Sequence, residues 1–233
     1  MKVLGIDTAT SCGGVGLIDG DAVVAEYAFH REETPSAQLI PAIQTLLQEA
    51  RITIHEIDGI AVSVGPGSFT GLRVGLSTVK GFALAVERPV AGVPTLDALA
   101  AQLPSTPSLI CPIVDARKGE VYTALYKQSE GGMVAQLSPY QVLSPSRLFE
   151  MIPLQETVFV GDGVDVYGEL IRERLAGKAL FVSPHLNCLR GSTVAELGLQ
   201  NIKKGKKDDI SSLVPIYVRR SDAEIKWAQQ ERN

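Results

Sequence analysis

Histidine is scarce in this chain: His30, His55 and His185 are all there is, and no two stand three or four positions apart. Two imidazoles on one helical face need that spacing to share a metal, so no metal site is assigned. Cysteine is equally sparse. Cys12, Cys111 and Cys188 are odd in number, scattered, and never in a C-x-x-C pair. That predicts free thiols in a reducing cytoplasm. A basic excess is also missing: 22 Lys and Arg against 26 Asp and Glu leave a net charge of −4. Tight RNA binding by the chain alone needs clustered cations and is not expected. No apolar run is long enough to span a bilayer, and Asp7 breaks the short run that a signal peptide would need. There is no G-x-S-x-G elbow, and Cys12 has no histidine near it in sequence. No catalytic residue is assigned.

The feature that organises the chain is the stretch Val64-Gly-Pro-Gly-Ser-Phe-Thr-Gly-Leu-Arg-Val-Gly75. Gly65 and Gly67 around Pro66 allow a sharp turn, with positive φ where it is needed. Ser68 or Thr70 can cap the helix that follows, and the exposed amides of a helix start can hold an anion. No Gly-Lys-Ser/Thr follows, so this is not a P-loop, and Thr70 breaks a G-x-G-x-x-G reading. A structural turn and a ligand loop both remain open on spacing alone. In the helix, Leu72, Gly75, Leu76, Val79, Phe82, Ala83 and Val86 make one apolar face. A second strip, Gly71, Val74, Thr78, Gly81 and Ala85, is nearly all small residues, which lets another helix approach closely.

Read in order, strands are expected at 2–6, 14–18 and 22–29, the last two joined by an Asp19-Gly20 hairpin. A helix with Leu39, Ile43, Leu46, Leu47 and Ala50 on one face follows, begun late or kinked at Pro41. A strand at 59–64, the helix to 86, a strand at 89–93 and a helix at 95–103 capped by Thr95 complete the first half. A Pro- and Ser-rich linker to 108 then precedes strands at 109–114, 121–127 and 133–137, a helix at 146–151, a strand at 158–160 and helices at 164–175 and 193–202. The tail from 222 is polar apart from Trp227. Two successive β-β-β-α-β-α units predict an α/β protein of two similar lobes, 1–103 and 104–233. This is the order of the actin/sugar-kinase/Hsp70 superfamily, in which nucleotide sits between the lobes.

Four blocks carry a more specific resemblance. Leu4-Gly-Ile-Asp-Thr-Ala-Thr10, Gly65-Pro-Gly-Ser-Phe-Thr-Gly-Leu-Arg73, Asp115-Ala-Arg-Lys-Gly-Glu-Val-Tyr122 and Pro215-Ile-Tyr-Val-Arg219 resemble the TsaB (YeaZ) family over nearly the whole chain. The resemblance implies a cytoplasmic protein needed for threonylcarbamoyladenosine in tRNA. It implies a non-catalytic subunit that pairs with a TsaD-like paralogue, works with a TsaE-like ATPase, reaches tRNA through the complex, forms a homodimer when alone and has no membrane role. The paralogue carries a His-x-x-x-His metal pair; the corresponding helix here, 95–102, has no histidine. Active kinases of the superfamily carry Asp-x-Gly-Ser/Thr after the first strand, whereas this chain has Asp7-Thr8-Ala9-Thr10, and only Gly119 stands in the second loop. Asp7, Thr8, Thr10, Gly65, Gly67 and Asp115 are therefore assigned as a vestigial nucleotide site. No cofactor is expected beyond weak ATP or ADP at a shared interface. Partner docking is assigned to Leu39 and Ile43 on one helix and to Gly71, Val74, Thr78, Gly81 and Ala85 on the next, giving a four-helix bundle with the partner. Rival readings are a small ATP-dependent phosphotransferase of the same fold and a peptidase-like regulator. The lysines at 203–207 and Arg219 and Arg220 read either as solvated or as tRNA contacts.

Overall fold

The computed structural model describes residues 1–30, 35–103, 105–129, 134–206 and 208–219. The expected polar tail, Arg220 and Lys207 lie outside these residues. The first sheet is built from β1 (Lys2–Asp7), β2 (Cys12–Asp19) and β3 (Ala22–His30), which form an antiparallel meander. Gly20, at φ +59°, makes the turn that Asp19-Gly20 signals. After α1 (Pro35–Glu49) comes β4 (Gly59–Gly65), parallel to β1. Then α2 (Phe69–Val86) crosses over to β5 (Val90–Pro94), and α3 (Thr95–Ala101) leaves the sheet. The strand order is β3-β2-β1-β4-β5.

The second half repeats the plan. It runs β6 (Leu109–Arg117), β7 (Glu120–Thr123), β8 (Tyr126–Gln128), β9 (Val134–Gln136), β10 (Gln141–Leu143), α4 (Pro145–Met151), β11 (Thr157–Val160), α5 (Gly163–Leu175), β12 (Ala179–Phe181) and α6 (Gly191–Lys203). The order β10-β7-β6-β11-β12 mirrors the first sheet, with the β8–β9 pair added beside β6. This is the two-lobed actin/sugar-kinase/Hsp70-like fold.

Alternation along the strands decides the layers. On β1, Leu4 and Ile6 face α1 and α2, whereas Val3 faces α3 and α6. Residues of both sheets, with Leu96 and Leu99 of α3 and Val194, Ala195 and Leu199 of α6, form one shared core. A third cluster lies beyond the second sheet, where Leu148 of α4 and Ile171 of α5 meet Ile113 and Phe159. The helix α6 comes within backbone contact of the first sheet. A Cβ on Gly16 would lie 2.2 Å from the Ser192 amide nitrogen, and one on Gly198 would lie 2.3 Å from the Ala61 Cβ.

Several expectations are corrected here. The helix α6, which belongs by sequence to the second half, covers the first sheet. The strand expected at 121–127 is two, β7 and β8, and β10 and β12 were not anticipated. Pro94, not Thr95, stands at the cap of α3; Thr95 is buried inside the helix and its Oγ1 has no partner among the described residues. Pro41 lies inside a continuous α1, which the buried stripe of Leu39, Ala42, Ile43 and Leu46 holds against the sheet. Finally, Cys12 and Cys188 are joined as a disulfide although 176 positions apart, leaving only Cys111 free, buried, and with its thiol pushed up to about 12 by desolvation.

Candidate functional site

Between the lobes lies a cavity of about 440 Å³. It is lined by Ala9, Thr10 and Ser11 after β1, by 67–70 at the start of α2, by 115–117 at the end of β6, and by Asp162, Asp165, Val166, Tyr122 and Arg219. This is the junction at which the superfamily places nucleotide, so the state of its donors decides what it can hold.

The first loop is tied to itself. Asp7 is 0% exposed. Its carboxylate accepts the Ala9 amide (2.9 Å), the Thr10 hydroxyl (2.8 Å) and the Ser63 hydroxyl (2.5 Å). Thr10 also reaches the Cys12 carbonyl at 2.7 Å. Thr8 donates to the Gly71 carbonyl at 2.7 Å, which pins the first turn of α2 against this loop. The buried carboxylate is thus satisfied by neighbours, as a charge in low dielectric must be.

The Gly-Pro-Gly turn works differently from expectation at one position. Gly65 takes positive φ, +106°, but Gly67 does not. What Gly67 supplies is room: a Cβ there would sit 2.4 Å from the Ala9 carbonyl oxygen. That same oxygen accepts the Ser68 amide at 2.8 Å. Ser68 caps α2, its hydroxyl accepting the Gly71 amide at 3.3 Å. Behind the turn the Ile216 amide donates to the Val64 carbonyl at 2.7 Å, so the 215–219 block docks on the end of β4. Tyr217 then meets Phe69 at 5.2 Å between ring centres, and Arg73 lies 3.8 Å over the Phe69 ring.

On the second lobe, Arg117, Lys118 and Gly119 all take positive φ and turn the chain from β6 to β7. Asp115 accepts the Arg117 amide at 2.9 Å and pairs with its guanidinium at 3.1 Å. Arg219 pairs with Glu120 at 3.0 Å.

Asp162, which sequence reasoning did not single out, joins the two lobes. Its carboxylate accepts the Ser11 amide (2.6 Å) and the Asp115 amide (3.0 Å). Burial pushes its pKa up, against the pull of these bonds. A signal was present: Val160-Gly-Asp-Gly163 ends β11 as Val64-Gly-Pro-Gly67 ends β4, and Gly161 takes φ +107° where Gly65 takes +106°.

The amides of Ala9, Ser11 and Asp115 already face carboxylates of the chain itself, so none of the three is free to hold a polyphosphate. Nor does α3 fit the paralogue's metal. Its Asp97 carboxylate accepts the phenols of Tyr126 (2.6 Å) and Tyr140 (2.7 Å), and no histidine stands on the helix. Among the described residues no cluster of His, Cys, Asp and Glu is grouped to hold a metal ion.

Comparison with known proteins adds the lineage. The chain is 32% identical, over its full length and that of the relative, to the tRNA threonylcarbamoyladenosine biosynthesis protein TsaB of Bacillus subtilis. The chain belongs to the TsaB family. It is 31% identical to the TsaB of Escherichia coli over 96% of each chain. Residues 31–227 also match the family described as TsaD, tRNA N6-adenosine threonylcarbamoyltransferase. A Pseudomonas aeruginosa structure described as similar to the peptidase YeaZ superposes with a TM-score of 0.79 at 25% identity, over 94% of this chain and 99% of that one.

The residues assigned to partner docking from the sequence fall into two groups. Leu39 and Ile43, at 0% and 1% exposure, are core residues packed with Leu4, Ile6 and Leu17, so their assignment to a partner surface is corrected. Gly71 is buried too, held by Thr8. Val74 and Thr78 are half-buried, and Gly81 and Ala85 are exposed beside Leu84, which is 70% exposed. The strip therefore opens outward only along the second half of α2. No helix among the described residues is long and apolar enough to cross a membrane.

Proposed function

We propose that this chain is a non-catalytic subunit in threonylcarbamoyladenosine biosynthesis that docks on a TsaD-type transferase. End-to-end likeness to TsaB relatives supports the pathway. The observation that carries the non-catalytic part is Asp7. A general base or a magnesium ligand needs an accessible oxygen, and this carboxylate is fully buried beneath three donors.

Docking uses the outward half of the small-residue strip, Val74, Thr78, Gly81 and Ala85, against helices of the partner. A Cβ on Gly81 would meet nothing within 4 Å among the described residues, which leave that spot open. Alone, the protein pairs with a second copy through the same strip, which makes the two complexes mutually exclusive. A TsaE-like ATPase joins the assembly, tRNA is bound through the complex, and the setting is cytoplasmic. The subunit acts by contacting one conformation of its partner more favourably than another, since only a differential affinity shifts an equilibrium.

The test is reconstitution. The purified chain is mixed with the TsaD-type paralogue of the same organism, the TsaE-type ATPase, threonylcarbamoyl-AMP and unmodified tRNA. Modification is expected only when the chain and the paralogue are both present, and the two should co-elute. Modification by the chain without the paralogue, or full activity without the chain, refutes the proposal.

A further inference from the structure

The carboxylate of Asp162 has no counterpart in the roles proposed above, and it lines the interlobe cleft. It receives one amide from each lobe: Ser11, in the loop after β1, and Asp115, at the end of β6. Both loops line the cavity. A backbone amide donor aimed at a cleft is suited to any anion, and a fixed carboxylate is an anion. The turn that carries Asp162 has no slack. A Cβ on Gly161 would lie 2.4 Å from the Ile113 carbonyl oxygen, and one on Gly163 would lie 2.9 Å from it. Asp162 itself is 8% exposed.

The remaining charges also oppose an incoming anion. Asp115 and Asp165 line the same cleft, and its two arginines are engaged: Arg117 with Asp115, Arg219 with Glu120. A phosphate would have to displace a carboxylate, break two charge-assisted hydrogen bonds and approach two further carboxylates.

We infer that Asp162 is the cleft's built-in anion, the residue that makes this site reject phosphate-bearing ligands and that fastens the two lobes together. Its carboxylate draws both loops onto itself. Removing the carboxylate should leave two amides facing an open cavity and convert the cleft into a receptor for small phosphate anions. The inference rests on the cleft geometry alone and does not need the partner-subunit reading.

The experiment uses the full-length protein, wild type and Asp162→Ala, titrated with inorganic pyrophosphate. Thermal melting and the amide NMR signals of Ser11 and Asp115 are followed. The wild type should show neither a melting shift nor movement of those two amides. The variant should melt lower, recover part of the loss with pyrophosphate, bind it at least about tenfold more tightly than the wild type, and show both amide signals moving. Wild-type binding that moves the Ser11 and Asp115 signals overturns the inference, as does a folded variant that gains no affinity. Asp162→Asn provides a second variant, since it keeps the shape but presents one acceptor and one donor to the two amides. Hydrogen exchange on the wild type decides the matter if neither variant folds. The Ser11 and Asp115 amides should exchange as slowly as strand amides, and exchange at the rate of an open loop refutes the latch.

Discussion

Replacing Gly67 by alanine isolates the reason for the second glycine in the Gly-Pro-Gly turn. Its φ is not in the left-handed region, so alanine incurs no backbone strain. At a position without contacts, such a change stabilises by about 0.4–1 kcal/mol, through the unfolded chain. Here the new Cβ would sit 2.4 Å from the Ala9 carbonyl oxygen and 2.9 Å from the Ala9 Cβ. Both neighbours belong to a loop fixed by the Asp7 network, so neither yields easily. Overpacking of this kind costs about 1–3 kcal/mol. Moving the turn away also lengthens the 2.8 Å bond from Ser68 to Ala9, worth about 1 kcal/mol. The net expectation is a loss of about 1.5–3 kcal/mol, or about 3–12 °C in melting temperature for a chain of this size. Calorimetry and urea unfolding measure it. A melting temperature equal to or above that of the wild type would refute the close-approach reasoning.

Three further outcomes are expected. Gly81→Ala, in mid-helix with nothing within 4 Å of the added methyl, should stabilise the monomer by about 0.5–1 kcal/mol; a destabilised monomer in urea unfolding would mean that another part of the chain covers the strip. Thr78→Arg should leave the circular dichroism spectrum intact but abolish both self-pairing in sedimentation and co-elution with the TsaD-type partner; a folded variant that still forms both complexes rules out this surface. Glu26→Gln should alter the acid limb of stability. Desolvation of Glu26 is outweighed by hydrogen bonds from Arg190 and Ser192, so its pKa lies below the usual value. A depressed carboxylate stabilises above its unfolded pKa, and that gain is lost as pH falls through the folded one. The variant should therefore be about 1–2 kcal/mol less stable than wild type near neutral pH and converge with it in acid; a gap that does not narrow below pH 4.5, the ordinary glutamate value, would contradict the linkage.

The duplicated order of elements was legible because each half opens on a buried apolar strand and returns through a meander, and period-2 and period-3.6 patterns report those directly. The apolar face of α2 was legible for the same reason. What an apolar stripe covers is not written in its period. Leu39 and Ile43 have the spacing of a docking face and equally of a core face, and the sheet beneath claims them. The three-residue strands β10 and β12 are too short to show a period. The Cys12–Cys188 bond and the seating of α6 on the first sheet join positions far apart in sequence, and only the tertiary fold brings them together. Asp162 escaped notice because an isolated Asp between glycines reads as a turn. Its partners lie 151 and 47 positions away.

The two lobes end their equivalent strands in the same turn and use it for opposite purposes. Pro66 has no amide hydrogen and no side-chain acceptor, so the first turn only redirects the chain into α2. Asp162, at the matching position, supplies a carboxylate and gathers both loops. The first turn has a consequence of its own. Thr8 holds the Gly71 carbonyl, Ala9 holds the Ser68 amide, and a Cβ on Gly75 would lie 2.3 Å from the Thr8 hydroxyl. The opening of α2 is therefore clamped to the same loop whose Ser11 amide Asp162 holds. The far half of α2 carries the exposed residues Gly81, Leu84 and Ala85 on one rigid rod. The cleft and the proposed partner surface thus lie at opposite ends of one 18-residue helix.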